Sequence, residues 1–222
     1  MKLDLKLYLI TDRALSAKIG LTIFEVAEQA CSAGINVLQY REKEFSAEKQ
    51  VVEAARLRKI AGKRKVLFIV NDNPLIAKAV NADGVHVGRE DARIQQAREI
   101  LGENKIIGAT ARNADEAVEA EKNGADYVAI SPIFATATKT DAGKPCGTRM
   151  ISRVKKAVGI PVVAIGGINA ENLARVFEAG ADGAAMVSEF VKTKNVARTV
   201  GKLKETARKT RRKSKSRTTA RV

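Results

Sequence analysis

With 222 residues, 45% of them hydrophobic, the chain can bury the core of one large domain, and no apolar run approaches the roughly 18 residues of a membrane span. Two distant cysteines and a single histidine argue against a disulfide framework, a multi-histidine zinc site and a Ser-His triad, and they fit a reduced, cytoplasmic setting. The net charge of +15 does not mark the whole chain as a nucleic-acid binder, because residues 192–222 hold thirteen Lys/Arg against Glu205 alone, a net +12 that leaves +3 for residues 1–191.

The opening MKLDLKLYLITDR interleaves charged and apolar residues, which is not the apolar core of a signal peptide. It predicts a first strand over 5–11, ending in Thr11-Asp12-Arg13. No Gly-x-Gly-x-x-Gly follows, so the phosphate loop of an open doubly wound sheet is missing. Thr22 and Glu25 then make a capping box, each side chain able to satisfy the other's backbone N–H, ahead of the helical spacing of Val26, Ala27 and Ala30. Further strands are predicted over 35–40, 66–71, 83–87, 105–110, 126–130, 161–165 and 182–187. Between them, Ser46 is expected to cap a helix that carries Val51, Val52 and Ala55 on one face. Asn113 with Glu116 repeats the capping pair, and Asn169 is expected to cap a later helix.

Four strand openings share one pattern, in AGINVLQY, NADGVHVG, NGADYVAISP and AGADGAAMVS. Small residues, often with a glycine that ends a helix in the left-handed conformation, lead to Asp or Asn and then to the strand. Eight strands, each followed by a helix, with alternate units marked by one motif, predict a single-domain α/β fold, a (β/α)8 TIM barrel over residues 1–207. The run RKTRRKSKSRTTARV from Arg208 has almost nothing to bury and is expected to form a basic, disordered tail over 208–222.

In such a barrel the C-terminal ends of the strands meet at one mouth. Gln39, Arg41 and Lys43 alternate along the end of the second strand, so they face one side, and Tyr40 and Glu42 face the other. Cations gathered on one face repel each other unless an anion lies between them. The third strand ends in Asn71-Asp72, the fourth leads into Arg89-Glu90-Asp91, and the fifth ends in Thr110 with Arg112 behind it. Asp72 precedes Asn73-Pro74 and also suits a turn or cap. Asp91 holds the equivalent place on the next strand, and two carboxylates beside phosphate-binding cations suit Mg²⁺.

The sixth strand runs into residues 131–147, long enough for a lid, where Thr136, Thr138 and Lys139 offer two hydroxyls and a movable positive charge. Gly166-Gly167 after the seventh strand is expected to aim backbone N–H groups and a helix N-terminus at a phosphate, with Val187-Ser188 closing the same corner. His86, between two valines, suits a satisfied interior residue, and Cys146 an incidental loop thiol without a base.

YLITD at 8–12, QYREK at 39–43, ND at 71–72, DGVHVGRED at 83–91, SPIFATATK at 131–139 and VAIGGI at 163–168 together resemble the thiamin phosphate synthase family, over nearly the whole body to Ser188. The resemblance implies a condensation. An aminopyrimidine methyl diphosphate, 4-amino-2-methyl-5-hydroxymethylpyrimidine diphosphate, joins a thiazole phosphate to give thiamin phosphate and pyrophosphate. The diphosphate leaves early, and the thiazole nitrogen attacks the stabilised pyrimidine cation. By motif position, Gln39, Arg41, Lys43, Asn71 and Lys139 would hold the pyrimidine substrate and its diphosphate, with the Thr110 hydroxyl beside the pyrimidine. Arg41, Lys43, Thr110 and Lys139 would act on the reacting groups. Asp72 and Asp91 would hold Mg²⁺, and Thr136, Thr138, Gly167, Val187 and Ser188 the thiazole phosphate. The trio Gln39, Arg41 and Lys43 is expected to serve the diphosphate and hardly the thiazole phosphate.

Thr110, Arg112, Ala135 and Arg89 depart from the family's usual Ser, His, Pro and Gln, and bear on rate and substrate fit more than on reaction class. A thiazole tautomerase of the same barrel, which binds the thiazole phosphate without coupling, is the nearest alternative. The persistence of Asp72, Asp91, Lys43 and the Thr-x-Thr-Lys lid weighs against it. A sugar-phosphate epimerase would need more histidines, and an aldolase a Schiff-base lysine inside a strand. Nucleic-acid binding through the tail is the alternative of another class, and would be nonspecific and salt-dependent.

Overall fold

The computed structural model describes residues 3–88, 93–136, 138 and 143–219, with side chains described as far as Thr210. Its strands are β1 (Leu7–Ile10), β2 (Val37–Tyr40), β3 (Leu67–Asn71), β4 (Gly84–Val87), β5 (Ile106–Ala111), β6 (Tyr127–Ile130), β7 (Val162–Ile165) and β8 (Gly183–Met186). Each pairs in parallel with the next, and β1 pairs with β8, so the sheet closes into a barrel. Every predicted strand is present, with ends shifted by at most two residues.

Both faces of these strands are covered, which is why they read as apolar runs rather than as alternation. Tyr8, Ile10, Val37, Ile69, Tyr127, Val163 and Ala185 fill the barrel interior. Their strand neighbours Leu9, Leu38, Phe68, Val70, Val128 and Val162 pack outward against the helices. Those helices include α1 (Arg13–Lys18), α2 (Ile23–Ala33), α3 (Ala47–Gly62), α4 (Pro74–Ala79), α5 (Ile94–Leu101) and α6 (Ala114–Lys122). They continue with α7 (Thr148–Ala157), α8 (Leu173–Glu178) and α9 (Val196–Thr219). No described helix is long and apolar enough to cross a membrane.

The fourfold sequence repeat has a physical role. It opens the even strands, and its Asp or Asn side chain takes the N–H of a residue in the preceding odd strand. Asn36 accepts from Leu7, Asp83 from Phe68, Asp126 from Ile107 and Asp182 from Val162, at 2.7–3.0 Å. Each aspartate also meets a cation, Arg58, Arg98 or Lys155, at 2.6–3.0 Å. The repeat therefore ties strands together at the floor of the barrel, opposite the mouth. Asp126→Ala strands the Ile107 N–H and removes the carboxylate from Arg98, and is expected to destabilise the fold by about 1–3 kcal/mol. Chemical denaturation at constant m-value measures this, and an unchanged midpoint would refute the tie.

Helix starts agree in part with the sequence. Thr22 and Glu25 make both halves of the capping box. Asn113 takes the N–H of Glu116, but the Glu116 carboxylate turns to the N–H of Arg112, so the expected reciprocal half is absent. Ser46 occupies its N-cap position without a side-chain bond to the helix backbone. Asn169 does not cap α8. It closes a short turn by accepting from Glu171 and Asn172, and Asn172 holds the N-cap position.

The last helix packs on the outside of the barrel. Val196, Val200, Leu203 and Ala207 are buried at helical spacing against α2 and α8, and Thr210 is buried beyond the expected boundary. Its helical backbone is described from Val196 to Thr219. A helix already nucleated by packing extends cheaply into Lys and Arg, which are good helix formers.

Candidate active site

The end of β2 alternates as its sequence predicts. The outward residues are held by α1 and α3. Tyr40 Oη donates to Glu53 Oε2 at 3.0 Å, and Arg13 reaches both Glu42 at 3.1 Å and Glu53 at 2.5 Å. Burial alone would push the Glu42 carboxyl up, but the N–H of Glu44 and the Arg13 guanidinium outweigh it and hold Glu42 below the usual range. This outer brace fixes the strand end from behind. The inward face is left to Gln39, Arg41 and Lys43.

Those three do not share one pocket. Gln39 is buried in the interior, where its Nε2 donates to Tyr8 Oη at 2.6 Å. Arg41 has its backbone N–H on Thr11 Oγ1 at 3.0 Å and lines a cavity of about 90 Å³ at the mouth. Lys43 extends over the third strand end, with Nζ 3.6 Å from Asp72 Oδ2. The lysine side chain is 54% exposed and the aspartate 25%, so this is a loose, solvent-screened pair at the rim. Asp72 adopts φ +66, an uncommon left-handed conformation for a residue with a side chain, and its N–H is fixed by the His86 carbonyl at 2.8 Å. Asn71, one residue earlier, closes β3 in register with His86.

The 90 Å³ cavity gathers the phosphate corner. Thr136 and Thr138 line it from the loop after β6, Gly167 from the turn after β7, and Val187 and Ser188 from the end of β8. Gly166 and Gly167 have φ +100 and +61. The turn is stitched to the loop base, since Ile133 N–H donates to the Ile165 carbonyl at 2.9 Å and Phe134 N–H to that of Gly166 at 3.0 Å. The backbone N–H groups of Gly167 and Ser188 find no acceptor among the described residues, so they are available to an anion. The expected helix dipole is not part of this corner. Helix α8 starts only at Leu173, after the turn that Asn169 closes.

Thr110 lies away from this cavity and joins the interior through His86. His86 Nε2 is 3.0 Å from Thr110 Oγ1, and Nδ1 is 3.0 Å from Tyr127 Oη. Both ring nitrogens are engaged, as its place between two valines suggested. The Cys146 thiol donates to the Pro132 carbonyl at 3.2 Å, and burial raises its pKa, which disfavours the thiolate. Burial likewise pushes the Cys31 thiol up to about 12. Asp91, Arg89 and Lys139 lie outside the described residues. Among the described residues no three His, Cys, Asp or Glu side chains gather as a metal site. The rim carboxylate of Asp72 suits an ion such as Mg²⁺ that keeps water and substrate oxygens and needs few protein ligands.

The sequence missed Thr11, Asp12 and Ser131, which also line the cavity. The rule applied to the other strand ends would have found them, because they follow β1 and β6. It also missed Tyr8 and Tyr127, interior phenols whose hydroxyls must find partners.

A family model of thiamine monophosphate synthase matches residues 7–190. The chain is 50% identical over 188 residues to a thiamine-phosphate synthase of Methanosarcina mazei, covering 85% of this chain and 77% of that one. It is 45% identical to the enzyme of the same name from Methanosarcina barkeri, covering 94% and 93%. A thiamine phosphate pyrophosphorylase from Pyrococcus furiosus superposes with TM-score 0.85 at 36% identity, over 94% of this chain and 98% of the other. The chain belongs to the thiamine monophosphate synthase family and is a transferase of thiamine biosynthesis that makes thiamine phosphate.

Proposed function

We propose that the mouth joins a pyrimidine diphosphate to a thiazole phosphate across Arg41. The carrying observation is that Arg41 lines one cavity with Gly167 and Ser188 and stands beside the Lys43–Asp72 pair on the same strand end. The thiazole phosphate sits in the corner of Thr136, Thr138, Gly167, Val187 and Ser188, on hydroxyls and backbone N–H groups. The diphosphate lies toward Arg41, Lys43, Asn71 and Lys139, and the pyrimidine toward Gln39 and Thr110.

The reaction needs negative charge stabilised on a departing diphosphate, and cations gathered about it supply that. It needs no protein nucleophile, and Cys146 and His86 are each engaged in hydrogen bonds. Mg²⁺ would be held by Asp72 and Asp91 and would neutralise charge on the leaving group. Two unpaired thiols suit the cytoplasm, which is part of the same proposal.

Incubating the protein with both substrates and Mg²⁺ should release pyrophosphate and thiamin phosphate in equal amounts. Absence of product with thiazole phosphate still bound would overturn coupling in favour of a tautomerase-like activity.

A further inference from the structure

A chain of hydrogen bonds crosses the barrel interior beneath the mouth. Gln39 Nε2 donates to Tyr8 Oη at 2.6 Å, and Tyr8 Oη lies 2.8 Å from Tyr127 Oη. Tyr127 Oη lies 3.0 Å from His86 Nδ1, and His86 Nε2 3.0 Å from Thr110 Oγ1. The five residues come from β2, β1, β6, β4 and β5. Space for it is built in: a Cβ on Gly108 of β5 would overlap the Tyr127 ring. His86 stacks on that ring with centroids 5.5 Å apart.

We propose that this chain fixes which mouth-facing atoms of Gln39 and Thr110 donate and which accept, making Tyr8, Tyr127 and His86 positioning residues that adapt the site to the edge of an aminopyrimidine. The inference rests on the proposal that Gln39 and Thr110 meet the pyrimidine. Each phenol has one proton and passes one hydrogen bond onward, so the polarity of the chain is all or none. Burial raises both phenol pKa values well above the ordinary value, so both stay protonated.

One end sets the direction. The Gln39 amide nitrogen faces Tyr8, and its oxygen takes no hydrogen bond from the described residues. An oxygen is also the favoured mouth-facing atom on a strand face shared with the cations Arg41 and Lys43. Tyr8 then donates to Tyr127, Tyr127 to His86 Nδ1, and His86 Nε2–H to Thr110. The Thr110 proton is left to donate into the mouth. The site thus offers an acceptor at Gln39 and a donor at Thr110. An aminopyrimidine carries the complementary set, amino N–H and ring nitrogen. Its hydroxypyrimidine counterpart presents the opposite polarity.

His86 is the only histidine of the chain, so ¹⁵N-histidine labelling reports this one ring. The wild-type spectrum is expected to show the neutral Nε2–H tautomer. Gln39→Glu, read at a pH where the carboxyl is ionised, replaces the donor by a group that only accepts, so the chain should reverse and the tautomer switch to Nδ1–H. Tyr127→Phe cuts the chain. It should raise KM for the pyrimidine diphosphate about tenfold, the worth of one hydrogen bond, and leave KM for the thiazole phosphate unchanged. The same tautomer in wild type and Gln39→Glu would overturn the proposal, as would equal effects of Tyr127→Phe on both KM values. The nitrogen spectra need no substrate, so they stand or fall apart from the coupling assay.

Discussion

Arg41→Ala is expected to lower kcat about 10²–10³-fold, the usual loss when one preorganised charge is removed from a developing anion. The backbone should not move, because the Arg41 N–H remains on Thr11 and the strand end remains braced by Arg13, Glu42 and Glu53. The loss is therefore of a guanidinium and not of a fold. Its position also refines what the alternation of QYREK suggests by itself. Arg41 lines the cavity of the phosphate corner, so its removal should weaken both substrates. Lys43 sits on the rim beside Asp72, so Lys43→Ala should raise KM for the pyrimidine diphosphate alone. Pyrophosphate release with each substrate varied in turn, and calorimetric binding of thiazole phosphate, separate the two variants. Thiazole phosphate bound by Arg41→Ala as tightly as by wild type would remove Arg41 from that corner.

How far such a site can be read without coordinates depends on the range of the physics. Alternation in QYREK is local, so it correctly sent Tyr40 and Glu42 outward to Glu53 and Arg13. The Asp repeat was visible because the same task recurs at each even strand, although its partners, the N–H groups of the odd strands, were not. The interior chain was hidden for the opposite reason. Tyr8 and Tyr127 are 119 residues apart and meet only because the barrel closes. The interior chain is thus a case of tertiary contact that no local signal carries. The start of α8 was placed too early, because Asn169 closes a turn ahead of the helix and Asn172 holds the N-cap position.

Gly167→Ala is expected to cost about 2–4 kcal/mol of stability and to lower thiazole phosphate affinity roughly 100-fold. Two separate costs combine at this position. At φ +61 a Cβ strains the backbone by itself. That Cβ would also overlap the Ala135 carbonyl oxygen and come within 2.9 Å of Phe134 Cβ, at the base of the loop that carries Thr136 and Thr138. The turn and the loop base are joined by the bonds from Ile133 and Phe134, so neither can yield without moving the other. Whichever moves, the Gly167 N–H and the threonine hydroxyls lose their common focus. Gly180→Ala isolates the first cost, because φ there is +99 but the nearest atom is a flexible Lys155 carbon at 3.7 Å. That variant should lose only about 1 kcal/mol and keep full phosphate affinity. Thermal unfolding with and without thiazole phosphate measures both terms. Equal ligand-induced shifts in the two variants would mean that close packing of the glycine turn against the loop does not shape the phosphate corner.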